Sequence, residues 1–242
     1  MWTAALVDVL AALDVEEKSA RQALARTATD GWIAASRDGR RTRWALTPAG
    51  RRLLSEGAER IYSFAAEGSS WDGRWLVLTV SVPEQSRKLR HLVRTRLAWA
   101  GFGSPVPGVW ISASPAREAE AKQIFADLGL AEGLFSFVGP FAGIGSPAQL
   151  VAQAWDLAEV AAHYRAFIEV VGALAPSSAL DFLVAQVRLV HEWRRMPFID
   201  PQLPRPLLPP VWIGAEAVTL FHAQHAAWAP RAAAAWAAQN PR

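Results

Sequence analysis

The 242-residue sequence predicts an α+β chain, and three observations predict it. A capped helix runs into an arginine-rich hairpin over residues 14–47. Short β-rich runs alternate with helical runs over residues 74–138. The remainder, from residue 146 on, has mostly helical patterning.

The opening stretch MWTAALVDVLAALD is apolar, lacks a basic leader region and contains Asp8, so it reads as a short core helix and not a secretory signal. Asp14 is placed to cap the next turn, and Glu17 three positions on completes a capping-box-like pattern, which starts a helix near Val15. On that helix Ala20, Leu24 and Thr27 share a stripe and leave Ser19, Arg21, Gln22 and Arg26 on other faces. Gly31 is the expected C-cap. The runs 32–36 and 40–46 then pair as a hairpin through Asp38-Gly39, a dipeptide favoured in two-residue turns. From residue 37 to 52 the chain carries Arg37, Arg40, Arg41, Arg43, Arg51 and Arg52 against the single Asp38. A helix with free Arg and Gln followed by a cationic hairpin is the pattern of a winged helix-turn-helix. Arg reads guanine, Gln reads adenine, Ser19 near the helix start suits a phosphate, and the arginines of the wing, Arg37, Arg40, Arg41 and Arg43, clamp the backbone. Double-stranded DNA is the expected partner.

Composition bounds the rest. An apolar share of 52% builds real cores, and the length suits two or three compact domains. The formal charge of +3 is small, so any affinity for nucleic acid must come from the local patch. The absence of cysteine excludes disulfides, thiol catalysis and cysteine-bound zinc, and is compatible with a reducing cytoplasm. No uninterrupted apolar stretch reaches the ~18 residues of a membrane span. The 12 tryptophans are spread along the chain and read as packing anchors.

Thr47-Pro48 opens the next helix with a cap and a proline at its first position, and that helix should reach residue 64 or 66. Its stripe Leu53, Leu54, Ala58 and Ile61 is expected to pack on the winged domain. AEGSSWDG follows as the clearest domain boundary. A strand at 75–82, helix at 84–100, strand at 109–112, helix at 116–128 and strand at 134–138 suggest a ferredoxin-like sandwich. Residues 147–173 form one or two helices, and 178–195 another, with Leu180, Leu183, Val184, Val187 and Val190 on its apolar side. Six prolines over 197–210 impose an extended connector along the surface. The alanine-rich stretch 215–239 is helical and interrupted at Pro230. Three domains result: 1–67 winged helix-turn-helix with a linker helix, 71–145 ferredoxin-like, and 146–242 mostly helical for effector binding and dimerisation.

The stretches SARQALARTATDGWI, RDGRRTRWALTPAGRRLL, WDGRWLVLTVSVPEQSRKLRHLVRTRLAWAGFGSPVPGVWISASP and VRLVHEWRRMPFIDPQLPRPLLP resemble the phenylacetic-acid degradation repressor (PaaX) family. Its most specific motifs here are WDGRW, GFG-x-x-x-PGVWI and HEWRR-x-P-x-x-DP-x-LP. The resemblance implies a cytoplasmic, homodimeric transcriptional repressor of phenylacetate-type aromatic catabolism genes. An acyl-CoA effector such as phenylacetyl-CoA would release it from its operator, and no other cofactor or metal is implied. It also carries Arg21, Gln22 and Arg26 onto the recognition helix and Arg40, Arg41 and Arg43 onto the wing. Two departures stand out. The family pattern has a further helix before the segment that begins here at Trp2, so either the chain has been read from a later start or Trp2, Leu6 and Leu10 cover the core another way, for example across a dimer. The family's usual leucine is replaced by Thr27.

An acyl-CoA needs cations for its phosphates, a slot for adenine and an apolar pocket. His191, Trp193, Arg194 and Arg195 offer cations and an aromatic within a turn and a half of helix. Arg74, between Trp71 and Trp75, is the second cluster. The competing reading is that these arginines pair with local carboxylates. Enzyme signatures are incomplete: His191-Glu192 lacks the second histidine of a zinc-protease helix, His222 and His225 lack a third ligand, and the glycine turns at 101–104 and 143–146 complete no dinucleotide loop. Catalysis is not expected. The alternatives are a hydrolase or nuclease-like middle domain needing carboxylates and a divalent metal, and an effector module that does not bind DNA.

Overall fold

The computed structural model describes residues 1–64, 71–83, 85–130 and 132–240 and is α+β, with two antiparallel sheets. Its contacts divide it into two compact units. The first comprises Met1–Phe64, Phe167–Arg194 and Val218–Arg242, the second Ala65–Ala166 and Arg195–Ala217. The expected boundary AEGSSWDG falls largely on 65–70, outside the described residues.

In the first unit, α1 (Thr3–Ala11) buries Ala5, Val7 and Val9, while Trp2, Leu6 and Leu10 are half-buried. Asp14 does not cap the next helix. It sits in the left-handed region (φ 63°), which a short polar side chain tolerates, and its carboxylate accepts from Arg188 at 3.1 Å. The helix α2 (Glu17–Thr29) therefore begins later than expected, at an N-cap Glu16 with no side-chain bond. Its other end follows the sequence. Gly31 takes φ 79°, its N–H donates to the Ala28 carbonyl and that of Trp32 to Thr27, the paired bonds of a Schellman ending.

Strands β1 (Ile33–Asp38) and β2 (Arg41–Leu46) pair antiparallel from Ile33 opposite Leu46 to Asp38 opposite Arg41. The turn is thus Gly39-Arg40, one residue later than Asp38-Gly39, and it needs a single positive φ, which Gly39 supplies at 58°. Residues 1 and 2 run along β2. The Met1 amine donates to the Trp44 carbonyl at 2.8 Å, the Trp44 amide donates to the Met1 carbonyl at 2.7 Å, and Trp2 bridges Arg43. Helix α3 (Pro48–Ser63) starts as read, Thr47 accepting from the Gly50 N–H at 3.0 Å. A Cβ at Gly50 would lie 2.0 Å from the Trp32 carbonyl oxygen, so this close approach demands glycine. Leu53 and Leu54 do not pack as expected; they are 46% and 56% exposed, because α3 turns inward at Gly50 and again near Phe64, not along its middle.

The core of this unit is aromatic. Trp193 is fully buried, stacks on Phe221 at 4.5 Å, meets Phe167 at 5.1 Å and Phe64 edge-on at 5.8 Å, and donates from Nε1 to the Ile61 carbonyl at 3.2 Å. It ends α8 (Ala179–Trp193), which begins with a Ser178–Asp181 capping box and buries Leu183, Ala185 and Leu189; Val187, expected on that side, is 38% exposed. A second cluster joins Val9, Leu183, Ala232 and Ala235. The last helix, α10 (Ile213–Gln239), is not interrupted: it runs through Pro230. One proline forfeits one backbone bond, and alanines on either side together with the buried Trp228, Ala232 and Ala235 keep the helix going.

The second unit holds β3 (Arg74–Val80), α4 (Arg87–Trp99), β4 (Gly103–Val106), β5 (Val109–Ser112), α5 (Glu118–Asp127) and β6 (Leu134–Pro140). Its sheet has the order β4-β5-β3-β6, every pair antiparallel. Strand β4 is absent from the sequence reading because it carries Pro105, which an edge strand accommodates. Alternation sorts the two faces. Leu76, Leu78, Val80 and Trp110 pack with Val93 and Leu97 of α4 and Phe125 of α5, while Trp75 and Ile111 pack with Val151, Leu203 and Leu207. Val151 belongs to α6 (Pro147–Ala154), which is separate from α7 (Leu157–Gly172). The proline-rich segment is more than a surface connector. It contains α9 (Met196–Ile199) and a short 3-10 turn, and it buries Leu203 and Leu207 under the sheet.

Candidate functional site

Helix α2 is buried through Ala20, with Leu24 and Thr27 half-buried, so Ser19, Arg21, Gln22 and Arg26 are left exposed. Arg21 is held by Glu17 one turn back, at 2.7 Å. Such an exposed pair is worth only about 0–1 kcal/mol, so the guanidinium can exchange it for a nucleic-acid partner at small cost. On the hairpin Arg37, Arg40, Arg41 and Arg43 are all exposed. Arg41 and Arg43 lie opposite Asp38 and Ser36 and share one face, while Arg37 pairs with Thr42 on the other. Arg43 also covers the Trp2 ring at 5.8 Å, so it is partly a structural residue.

The residues read as two effector clusters differ in their surroundings. Arg74 and Arg195 belong to the second unit, His191, Trp193 and Arg194 to the first. Trp193 is a core residue without exposed surface and offers nothing to a ligand. Arg74 is engaged by Asp72, whose carboxylate accepts from its backbone N–H at 2.9 Å and from Nε at 2.7 Å; these bonds hold the Asp72 carboxyl below its usual range. Trp71 completes this turn by donating to the Arg74 carbonyl at 2.9 Å and meeting Trp75 edge-on, so WDGRW is a self-bonded strand entry. His191, Arg194 and Arg195 are exposed. The DP-x-LP motif is likewise structural. Asp200 accepts from the Tyr164 hydroxyl and the Gln202 N–H, Arg117 donates to the Pro201 carbonyl at 3.1 Å, and Leu203 enters the core. Burial raises Asp200, and it raises Tyr164 as well, with the Asp200 charge adding to that shift.

The second unit also contains an open groove of about 2050 Å³. Arg87, Arg90, His91 and Arg94 line it from α4, spaced as one helical stripe, and Trp99, Trp155 and Phe198 supply aromatic surface. The R-x-x-R-H-x-x-R spacing was legible in the sequence, but the sequence reading did not single it out. Asp156 and Glu159 line the groove where α7 begins, and the Asp156 carboxylate accepts from the Glu159 N–H at 2.9 Å.

His222 and His225 do not point to a metal. His225 lies 2.7 Å from Gln186 Nε2 and stacks on Tyr62 at 4.8 Å, and among the described residues no three His, Asp or Glu side chains are grouped for a cation. No helix of the described residues is long and apolar enough to cross a membrane.

Three family models match the chain in succession: the PaaX-like protein over 1–50, the PaaX protein central Cas2-like domain over 68–151 and the PaaX-like protein C-terminal domain over 155–238. The transcriptional repressor PaaX of Escherichia coli (strain K12) is 33% identical over 226 residues, covering 88% of this chain and 70% of that protein. A solved structure of an uncharacterized protein from Mycobacterium tuberculosis shares the fold, with a TM-score of 0.63 at 23% identity over 96% of this chain and 90% of that one. The named relative is a regulator and not an enzyme, in accord with the expectation for this chain. With matching models spread along the sequence and one-third identity across most of it, the chain belongs to the PaaX family.

Proposed function

We propose that the protein is a cytoplasmic transcriptional repressor that binds operator DNA through its first 67 residues. The observation that carries this reading is the exposure of all eight sequence-selected residues, Ser19, Arg21, Gln22, Arg26, Arg37, Arg40, Arg41 and Arg43, on one helix and the hairpin that follows it. In this reading α2 is the recognition helix and β1–β2 the wing, with Gln22 and Arg26 reading bases and the hairpin arginines holding phosphates. The βαββαβ order and the β4-β5-β3-β6 sheet support a ferredoxin-like middle domain over 71–145, followed by a helical domain over 146–242. The exposed Leu53 and Leu54 give a homodimer an apolar surface to use. The genes controlled are those of phenylacetate-type catabolism, and an acyl-CoA, phenylacetyl-CoA in the first instance, releases the operator; the name of the relative supports the repressor reading.

Fluorescence anisotropy of the full chain on DNA from its own upstream region and on a scrambled duplex, across salt and with or without phenylacetyl-CoA, tests this. Selective binding that weakens steeply with salt and is relieved by the thioester is expected. Equal affinity for both duplexes, or none, overturns the repressor reading and leaves a ligand-sensing module.

A further inference from the structure

We propose that the groove of the second unit is a binding site for a phosphate-bearing ligand with an apolar end, its phosphates held by Arg87, His91 and Arg94. The proposal deepens the effector reading above and rests on it only for the identity of the probe.

Three observations carry it. First, α4 reads RKLRHLVRTRLAW and holds five cations and a histidine with no acid. Those at 87, 90, 91 and 94 all line one groove, and among the described residues Arg87 and Arg94 are in no ion pair. A solvated cationic helix face needs no such convergence, whereas a phosphate does. Second, the neighbouring surface is apolar: Trp99 is 56% and Phe198 45% exposed, and the two rings meet edge-on at 6.3 Å on the groove wall. Third, the charges are polarised. Asp156 and Glu159 line the groove where α7 begins, so an anionic head belongs on the α4 wall, away from them, and the apolar end against Trp99 and Phe198. Size agrees. At about 2050 Å³ the groove exceeds the ~300–1,000 Å³ of ordinary small-ligand pockets, which suits an extended conjugate better than a free phosphate or a small acid. A nucleic-acid duplex is the less favoured occupant, because interfaces with DNA are strongly polar while this groove exposes aromatic rings along one side.

Isothermal titration of the full chain without DNA decides the matter, using phenylacetyl-CoA, free CoA and phenylacetate as separate probes. The expected order of affinity is phenylacetyl-CoA, then CoA, then phenylacetate. The double variant R87A/R94A, whose side chains are exposed, should keep its melting temperature and lose at least about tenfold in affinity for both CoA probes, and R74A/R194A should lose none. Wild-type affinity in R87A/R94A, loss in R74A/R194A instead, or no binding of phenylacetyl-CoA by the wild type overturns the proposal. Weakened duplex DNA binding by R87A/R94A with intact thioester binding also overturns it and makes α4 a nucleic-acid contact. Because DNA is absent from the titration, failure of the operator reading leaves the result intact.

Discussion

The hairpin of the first unit and helix α4 of the second are both dense in arginine, but their surroundings differ. The hairpin arginines stand on a two-stranded ribbon whose outward positions are nearly all exposed. The α4 arginines border a groove with aromatic surface, and one of them, Arg90, is tied to the chain through the Pro83 carbonyl at 3.2 Å. Charge alone does not choose between a polyanion and a small anion. The surface beside the charge does: a ribbon open on its outer side meets a long phosphate backbone, and a groove with apolar flanks encloses a short anion attached to something hydrophobic.

The comparison breaks most readily at the aromatic core of the first unit. Trp193→Ala removes the ring on which Phe64, Phe167 and Phe221 all pack, and should destabilise the first unit by about 3–5 kcal/mol. Thermal and urea melts would show the loss, accompanied by disappearance of DNA binding at ordinary temperature; a melt within a degree or two of wild type contradicts the central place given to this ring. Next in size is replacement of the exposed hairpin arginines. R37A/R40A/R41A, which spares the Trp2 contact of Arg43, should weaken all duplexes alike and lower the salt dependence of log affinity by about one unit per lost phosphate contact. Thioester affinity should stay unchanged, so parallel losses of DNA and thioester affinity would merge the two surfaces into one.

The smallest effect comes from acidity. Burial, and secondarily His222, hold His225 below the usual histidine range, with Tyr62 stacked on the ring and Gln186 bonded to it. The folded state therefore favours the neutral ring while the unfolded chain takes up a proton near pH 6.5. Stability from this residue is present above that pH and declines as the pH falls through it toward the lower folded value. Urea midpoints between pH 7.5 and 5.5 should slope less in His225→Phe than in the wild type; identical slopes would show that the ring does not titrate on unfolding.

What the sequence made legible was local chemistry. Thr47-Pro48 began one helix and Gly31 ended another where written, because caps and left-handed glycines act within a turn of themselves. Asp14 was misread because it closes α1 instead of opening α2: at φ 63° its N–H donates to the Ala11 carbonyl and that of Val15 to Leu10. Trp193 sits among His, Glu and Arg, so a motif of polar neighbours disguised a residue whose partners come from three other segments. The α4 stripe could be counted in advance, yet the groove that gives it meaning is completed by Trp155 and Phe198 from distant parts of the chain. Pro230 left α10 continuous, and Pro105 sits in an edge strand whose register with β5 shifts between Gly103 and Val106.

The tryptophan that anchors the first unit bonds Ile61 across 132 positions, and this sets an order of events during synthesis. The hairpin and its arginines leave the ribosome early, but Trp193 and Phe221, which complete the aromatic core of the same unit, are translated on the order of ten seconds later at about 5–20 residues per second. In that interval the nascent chain displays positive charge without a finished scaffold, beside an abundance of ribosomal RNA. A product that stopped before Phe221 would keep the charge and lack the ring on which Trp193 stacks.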